Sequence, residues 1–284
     1  MRALRFAVCV ILLIFAFIPR PAAAWTVTGH SVVVEIAVRY LSAQAVERLK
    51  TLLDREPDEF ADLSTWADDI IRERPETYWW HTVSIPHASN GYVRERDCPK
   101  DDCVVERIER FMEVLRDRRG GPTQQAEAVK FLLHFIGDLH VPVHAYAPGP
   151  PHDPWRSWWD WEGPWVDIGG AVHTLHVWWD WHFVLRLGPN RRSILESLLA
   201  RISEDDVAAW QRGTPADWAN ESFHSARDFK FRHAIPDATA HGIGTRANPI
   251  VLDDAVADEG AAIASERLRM AGVRLAWVLN RVLE

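Results

Sequence analysis

Long apolar runs are almost absent from this chain of 284 residues, and no stretch after residue 24 could span a membrane. The one such run, residues 6–18, follows two arginines and precedes three alanines that end at Ala24. A positive start, a short apolar stretch and a small-residue cleavage site are typical of a secretory signal. We therefore expect residues 1–24 to be a signal peptide and residues 25–284 to be one secreted or periplasmic domain, with an uncleaved anchor as the alternative.

Cysteine is also scarce, with three in the chain, of which Cys9 would leave with the signal peptide. Cys98 and Cys103 remain, five positions apart. An exported pair at this spacing predicts a disulfide that closes a small loop, with two free thiols as the alternative. A zinc site built on these cysteines is disfavoured because no histidine stands near them in the sequence.

Positively charged residues are fewer than negatively charged ones. The chain has 32 Lys and Arg against 40 Asp and Glu, a formal charge of −8, and loss of the three arginines in residues 1–24 makes it −11. An acidic protein binds nucleic acid or an anionic membrane poorly through its general charge. An anionic substrate would therefore need a strong local positive charge, and bound metal ions can supply one.

Strand patterns are few, whereas apolar residues recur at helical spacing in residues 31–41, 126–136 and 270–283. We expect a mostly helical, all-α fold: a single-domain bundle without internal repeats. Long irregular loops are expected at residues 145–172, rich in proline, glycine and tryptophan, and at 236–249. Long loops inside a compact domain are often functional.

Helix-start signals mark several element boundaries. The serines at 193 and 203 are each followed three positions later by an acidic residue, which predicts a capping box in both places. The remaining starts follow from single capping residues or from proline at the first helical position. The expected helix starts are Ser42, Thr123, Ser193, Ser203 and Thr214, and the last helix is expected from about residue 254 to 283.

Histidine and aspartate recur at a spacing that suits metal binding. In HFIGDLHVPVH, His134 and Asp138 are four residues apart, so they share one face of a helix and one zinc ion can use both. Pro142 should end that helix, so the histidine at 144 would serve a second metal. HTLHVWWD repeats the pattern with His176 and Asp180. A single pair of this kind is often only a hydrogen-bonded core pair.

Three further segments add candidate ligands. STWADD offers Asp68 or Asp69, YWWHTVSIP offers His81, and WTVTGH places Trp25 five residues before His30. Cleavage after Ala24 would leave an α-amino group on Trp25, with a reference pKa of ~7.7–8.0, so a metal could displace its proton near neutral pH. Its amine and carbonyl oxygen could then chelate one ion. Histidine and carboxylate without cysteine point to catalytic zinc.

These segments, together with AGVRLAWVLN near the end of the chain, resemble the S1/P1 nuclease family, the three-zinc nucleases of the superfamily shared with bacterial zinc-dependent phospholipase C. The resemblance covers nearly the whole of residues 25–284. It implies three zinc ions, with Asp138 bridging two of them and with Asp68 and Asp138 also serving as catalytic residues. It also implies the Cys98–Cys103 disulfide. The implied ligand sets are Asp68, His81 and His134 for the first zinc, Trp25, His30 and Asp138 for the second, and His144, His176 and Asp180 for the third.

The resemblance implies an exported endonuclease that cleaves single-stranded DNA and RNA to 5′-phosphate products, with 3′-nucleotidase activity as a further expectation. No stable protein partner is expected. Two alternatives stay open: a zinc-dependent phospholipase C, and a non-catalytic exported protein that binds metal or carbohydrate. The tryptophans of the first long loop could stack on bases or only hold the loop against the body. They are Trp155, Trp158, Trp159, Trp161 and Trp165.

Overall fold

The computed structural model describes residues 25–118, 120–147, 163–236 and 243–284. Within them the chain forms one mostly helical domain with a small three-stranded sheet, as expected. In the first half the elements are α1 (Val27–Val38), α2 (Ala43–Leu53), α3 (Trp66–Ile70), α4 (Arg94–Asp97), α5 (Val104–Arg116), α6 (Pro122–Leu139) and the 3-10 segments Pro57–Leu63, Pro75–His81 and Pro142–Ala145.

The second half contains the sheet and the longest helix. Its elements are β1 (Trp165–Ile168), β2 (Ala171–Thr174), α7 (Leu175–Val177), a π-helical segment (Trp178–His182), α8 (Phe183–Leu185), α9 (Arg191–Leu199), α10 (Glu204–Trp210), α11 (Pro215–Arg232), β3 (Ile250–Leu252) and α12 (Ala255–Leu283). Strand β1 lies between an antiparallel β2 and a parallel β3. Among the described residues, no helix combines the length and apolar character that a membrane span requires.

Most predicted helix starts are confirmed. Ser42 caps α2, and Ser203 and Thr214 form reciprocal capping boxes with the aspartates three residues later. The box expected at Ser193 is wrong: Asn190 is the cap of α9, and Ser193 is the third helical residue whose hydroxyl reaches back to it. Both residue types suit the cap, so the sequence signal was ambiguous by one turn.

The first expected long loop is only partly irregular. Residues 148–162 and 237–242, with four of the five loop tryptophans, lie outside the described residues. The end of the first segment instead forms β1 and the start of β2, joined by a tight turn in which both Gly169 and Gly170 have positive φ. This hairpin leads directly into α7, which begins one residue before His176.

Helix α6 occupies the centre of the domain. It packs against α1, α2, α3, α5, α11 and α12, and all of its last nine residues are buried. Burial on every side explains why its C-terminal half is apolar except for His134 and Asp138. Polar groups in such a position are retained only when they have partners.

Candidate metal centre

The first group of candidate ligands joins three elements. Asp68 lies on α3, His81 ends the Pro75–His81 segment, and His134 and Asp138 share one face of α6. Nδ1 of His81 lies 3.0 Å from Nε2 of His134 and 2.9 Å from Oδ2 of Asp138. Nε2 of His134 lies 3.1 Å from the same oxygen of Asp138. Oδ1 of Asp68 lies 3.6 Å from Nδ1 of His81 and 3.5 Å from Nε2 of His134.

These distances have the size of a zinc coordination shell. Ligand atoms at ~2.0–2.1 Å from a tetrahedral zinc lie about 3.3 Å from one another. The five distances measured among the four donor atoms run from 2.9 to 3.6 Å. Two imidazole nitrogens and two carboxylate oxygens also match the donor chemistry of catalytic zinc.

The second group forms around His30 on α1. Its Nε2 lies 3.5 Å from Oδ1 of Asp138, the carboxylate oxygen that does not face His81. The ring of His30 stacks on that of His134 with centroids 3.9 Å apart. This approach requires Gly137, because a Cβ there would lie 2.8 Å from Nδ1 of His30. Trp25 is fully buried just before α1.

The third group lies beyond Asp138. Nε2 of His176 lies 2.8 Å from Oδ2 of Asp180 and 3.3 Å from Nε2 of His144. Nδ1 of His144 lies 3.6 Å from Oδ1 of Asp138, so the third group is next to the second. The amide of Thr26 donates to the carbonyl of Asp180 at 3.0 Å, which ties the start of the described chain to this group.

The charge of these groups favours a bound cation. Asp138 is fully buried, and the side chains of Asp180 and Asp68 are 4% and 15% exposed. Within the described residues, no lysine or arginine lies within ion-pairing distance of any of the three. Both ring nitrogens of His30, Oδ2 of Asp68 and Oδ1 of Asp138 are buried there without a hydrogen-bond partner. Each such atom costs about 1–3 kcal/mol, and a coordinated divalent cation would satisfy them.

Two of the carboxylates and His30 are in the ionic states that metal binding requires. Burial alone would raise the pKa of Asp138, but His134 and the other histidines hold it well below its ordinary value. Burial would also raise the pKa of Asp68, but His134 lowers it below its ordinary value. The pKa of His30 is lowered, first by burial and then by His134. The aspartates are therefore ionised and His30 is neutral at neutral pH, as metal ligands must be.

Neighbouring groups orient the candidate ligands. Nδ1 of His134 donates to the carbonyl of Ser64 at 2.7 Å, which orients the ring so that Nε2 faces the first group. Cys98 and Cys103 form the expected disulfide, with Cα atoms 5.6 Å apart. The next residue, Val104, donates its amide to the carbonyl of Thr82, adjacent to His81.

The structure brings eight candidate side chains into neighbouring groups and separates two adjacent aspartates that the sequence could not distinguish. Asp68 joins the first group, whereas Asp69 is exposed. Gly137 and the Ser64 carbonyl were missed because their roles depend on contacts between distant segments. A ring cluster was missed too: the ring of His182 contacts those of His173 and Trp178 at tilted angles, with centroids 4.5 and 4.4 Å away.

Known proteins share this chain's pattern. Residues 25–284 match the S1/P1 nuclease family. The chain is 27% identical to endonuclease 3 of Arabidopsis thaliana and 28% identical to endonuclease 4 of the same plant, in each case over 92% of this chain and 90% of the relative. It is 29% identical to nuclease P1 of Penicillium citrinum over 54% of this chain and 64% of that protein.

The three histidine–aspartate groups lie within the matched region, and the family is zinc-dependent. The match spans the mature domain expected from the sequence, so the likeness is not limited to one motif. The chain therefore belongs to the S1/P1 nuclease family and is a hydrolase that acts on phosphodiester bonds.

Proposed function

We propose that this protein is an exported, three-zinc endonuclease that cleaves single-stranded DNA and RNA and leaves 5′-phosphates. The observation that carries the proposal is the position of Asp138, whose two carboxylate oxygens face different ligand groups. A carboxylate in that position can bridge two close metal ions. The proposed ligands are Asp68, His81, His134 and Asp138 for the first zinc, Trp25, His30 and Asp138 for the second, and His144, His176 and Asp180 for the third.

Zinc at these groups would supply Lewis acidity towards a phosphoryl oxygen and would activate water for attack on phosphorus. The chain's own residues hold that chemistry in place. Asp138 fixes the spacing of the first two groups, and Asp68 and His81, at 15% and 8% exposure, are the members of the first group that solvent reaches. Substrate would therefore approach from the side of these two residues.

The third group is assigned to the departing sugar oxygen. It lies on the Oδ1 side of the Asp138 carboxylate, whereas the first group lies on the Oδ2 side, so a phosphodiester held by both groups would present its two ester oxygens to different groups. Departure of the 3′-oxygen on that side leaves the phosphate on the 5′ carbon. The same arrangement would act on a terminal 3′-phosphate, which is the basis of the proposed 3′-nucleotidase activity.

Charge explains how an acidic protein would hold a polyanion. Three zinc ions would bring six positive charges against three ligand aspartates, which leaves a local excess of three. Since most of the ligand side chains are buried, a splayed single strand would reach them more easily than a duplex would. A phospholipase C with the same metal groups is the second candidate. Family resemblance disfavours it because Asp180, rather than a glutamate, is the last ligand.

One substrate panel tests the proposal. The purified protein is incubated with single-stranded DNA, duplex DNA, RNA, 3′-AMP and phosphatidylcholine, with and without a zinc chelator. We expect chelator-sensitive cleavage of both single-stranded nucleic acids, with 5′-phosphate ends identified by mass spectrometry. Hydrolysis of phosphatidylcholine without cleavage of nucleic acid would move the protein to the phospholipase branch. Zinc binding without any hydrolysis would support the non-catalytic alternative.

A further inference from the structure

Helix α6 ends directly after Asp138, and its last carbonyls receive unusual partners. The hydroxyl of Ser222, on α11, donates to the carbonyl of Leu139 at 2.5 Å. Nε of Arg267, on α12, donates to the carbonyl of His140 at 3.3 Å. Nδ1 of His140 lies 2.7 Å from the carbonyl of Ile136. A helix end leaves such carbonyls without intrahelical partners, and here side chains satisfy three of them.

The same side chains bind one another. Arg267 donates to the hydroxyl of Ser222 at 2.6 Å, and Nη1 of Arg274 lies 2.9 Å from Nε2 of His140. A guanidinium can only donate, so His140 is neutral there and carries its proton on Nδ1. Glu221 accepts from both arginines, with distances of 2.5 and 2.8 Å to Arg274 and 3.1 Å to Arg267.

This network is buried and carries charge. His140 and Ser222 are fully buried, and Arg267 and Arg274 are 5% and 2% exposed. Burial lowers the pKa of Arg267 to about 10, so it stays charged at neutral pH. Two cations share one carboxylate, which leaves a positive charge at the C-terminus of α6, where the helix dipole favours it. At exposed helix ends, water or a glycine C-cap satisfies the unpaired carbonyls instead.

The position of the network suggests its purpose. Side chains from α11 and α12 bind the carbonyls of Leu139 and His140. These two residues lie between Asp138 and His144 in the chain. The turn continues through the amides of Val141 and His144, which donate to the carbonyls of Asp138 and Val141. Any shift of this segment would therefore move ligands of all three groups.

We infer that Ser222, Arg267 and Arg274, with Glu221 and His140, form a clamp that positions Asp138 and His144 for metal binding. The clamp residues bind backbone carbonyls and one another rather than candidate ligand atoms, so they are positioning residues. This inference rests on the proposed three-zinc function. It predicts that damage to the clamp weakens metal binding more than it weakens the metal-free fold.

The test compares Ser222→Ala and Arg267→Lys with Ser265→Ala, a matched control that removes another buried serine hydroxyl from α12, outside the clamp. For the wild type and each variant, zinc affinity is measured by competition with a chromophoric chelator, and the melting temperature is measured with and without zinc. We expect the two clamp variants to bind zinc about 10-fold more weakly than the control, the effect typical of groups that orient metal ligands. Their metal-free melting temperatures should remain near that of the control.

The outcomes separate the two proposals. If the wild type binds zinc and all variants bind it equally well, the clamp is refuted and the three-zinc function stands. If affinity falls only in step with the metal-free melting temperature, the residues serve the fold alone and the clamp is again refuted. If the wild type itself binds no zinc, the proposed function fails and the clamp fails with it.

Discussion

Oδ2 of Asp138 lies 2.9 Å from Nδ1 of His81, although 57 residues separate them in the sequence. The other oxygen of the same carboxylate lies 3.5 Å from Nε2 of His30. One buried side chain therefore belongs to two candidate ligand groups, and its chemistry should dominate the proposed metal centre. The following expectations depend on that arrangement and on the contacts around it.

Replacing Asp138 should disable two metal sites, whereas replacing Asp180 should disable one. We expect Asp138→Ala to lose about two zinc ions per chain and to lower turnover on single-stranded DNA about 10³-fold, equivalent to about 4 kcal/mol of transition-state stabilisation. Asp180→Ala should lose about one zinc ion. Elemental analysis, turnover and circular dichroism on both variants provide the check. Near-normal zinc content in Asp138→Ala would show that the bridge is misassigned.

Adding a methyl group at Gly137 should displace His30. A Cβ at Gly137 would lie 2.8 Å from Nδ1 of His30, whereas a Cβ at Gly121, at the start of the same helix, meets nothing within 4 Å. We expect Gly137→Ala to lower the free energy of unfolding by about 1–3 kcal/mol and to reduce zinc content. Gly121→Ala is the control for a glycine-to-alanine change next to the start of α6. Equal zinc content in the two variants would refute this role of Gly137.

The amine of Trp25 is testable by extension of the chain. If signal cleavage leaves Trp25 first, one glycine placed before it should remove the amine ligand and weaken the second zinc. A glycine added after Glu284 is the matched control. N-terminal sequencing of the exported protein, with zinc content and turnover of both forms, tests the idea. A native protein that starts elsewhere and is fully active would exclude the amine as a ligand.

Stabilisation by zinc should increase with pH. Burial would lower the pKa of His134, but Asp138 and Asp68 raise it well above 6.5 in the metal-free protein. The stability that its ion pair with Asp138 and Asp68 contributes is therefore fully present below pH 6.5. It is lost as the pH rises through the pKa of His134 in the folded protein. The pKa of Asp138 is well below 3.8, so its share is present above pH 3.8 and is lost in stronger acid. This ion pair therefore stabilises the metal-free fold most between pH 3.8 and pH 6.5.

Zinc must displace the proton of His134, so its binding competes with that ion pair at low pH. We expect the difference in melting temperature between zinc-loaded and metal-free protein to be about 10 °C at pH 8 and to shrink towards pH 5, on the basis of about 4 kcal/mol for near-saturating metal. Differential scanning calorimetry at several pH values measures it. A difference that stays constant over this range would contradict the proposed role of His134 as a ligand.

The sequence alone predicts much of this protein because many of its signals are local. His134 and Asp138 share a helix face through a spacing of four residues, and Pro142 separates His144 from them. The caps at Ser42 and Ser203 follow from side chains that reach amides three residues away. The disulfide was expected from a spacing of five residues, and the family from motifs spread along the chain.

Other features were decided only by tertiary structure. The choice of Asp68 over Asp69, and the division of the Asp138 oxygens between His81 and His30, depend on how α1 and α3 pack against α6. The clamp on the end of α6 comes from α11 and α12, more than 80 residues further along the chain. Local spacing fixes which residues share a face, but only the packing of helices distant in sequence fixes which atoms those faces meet.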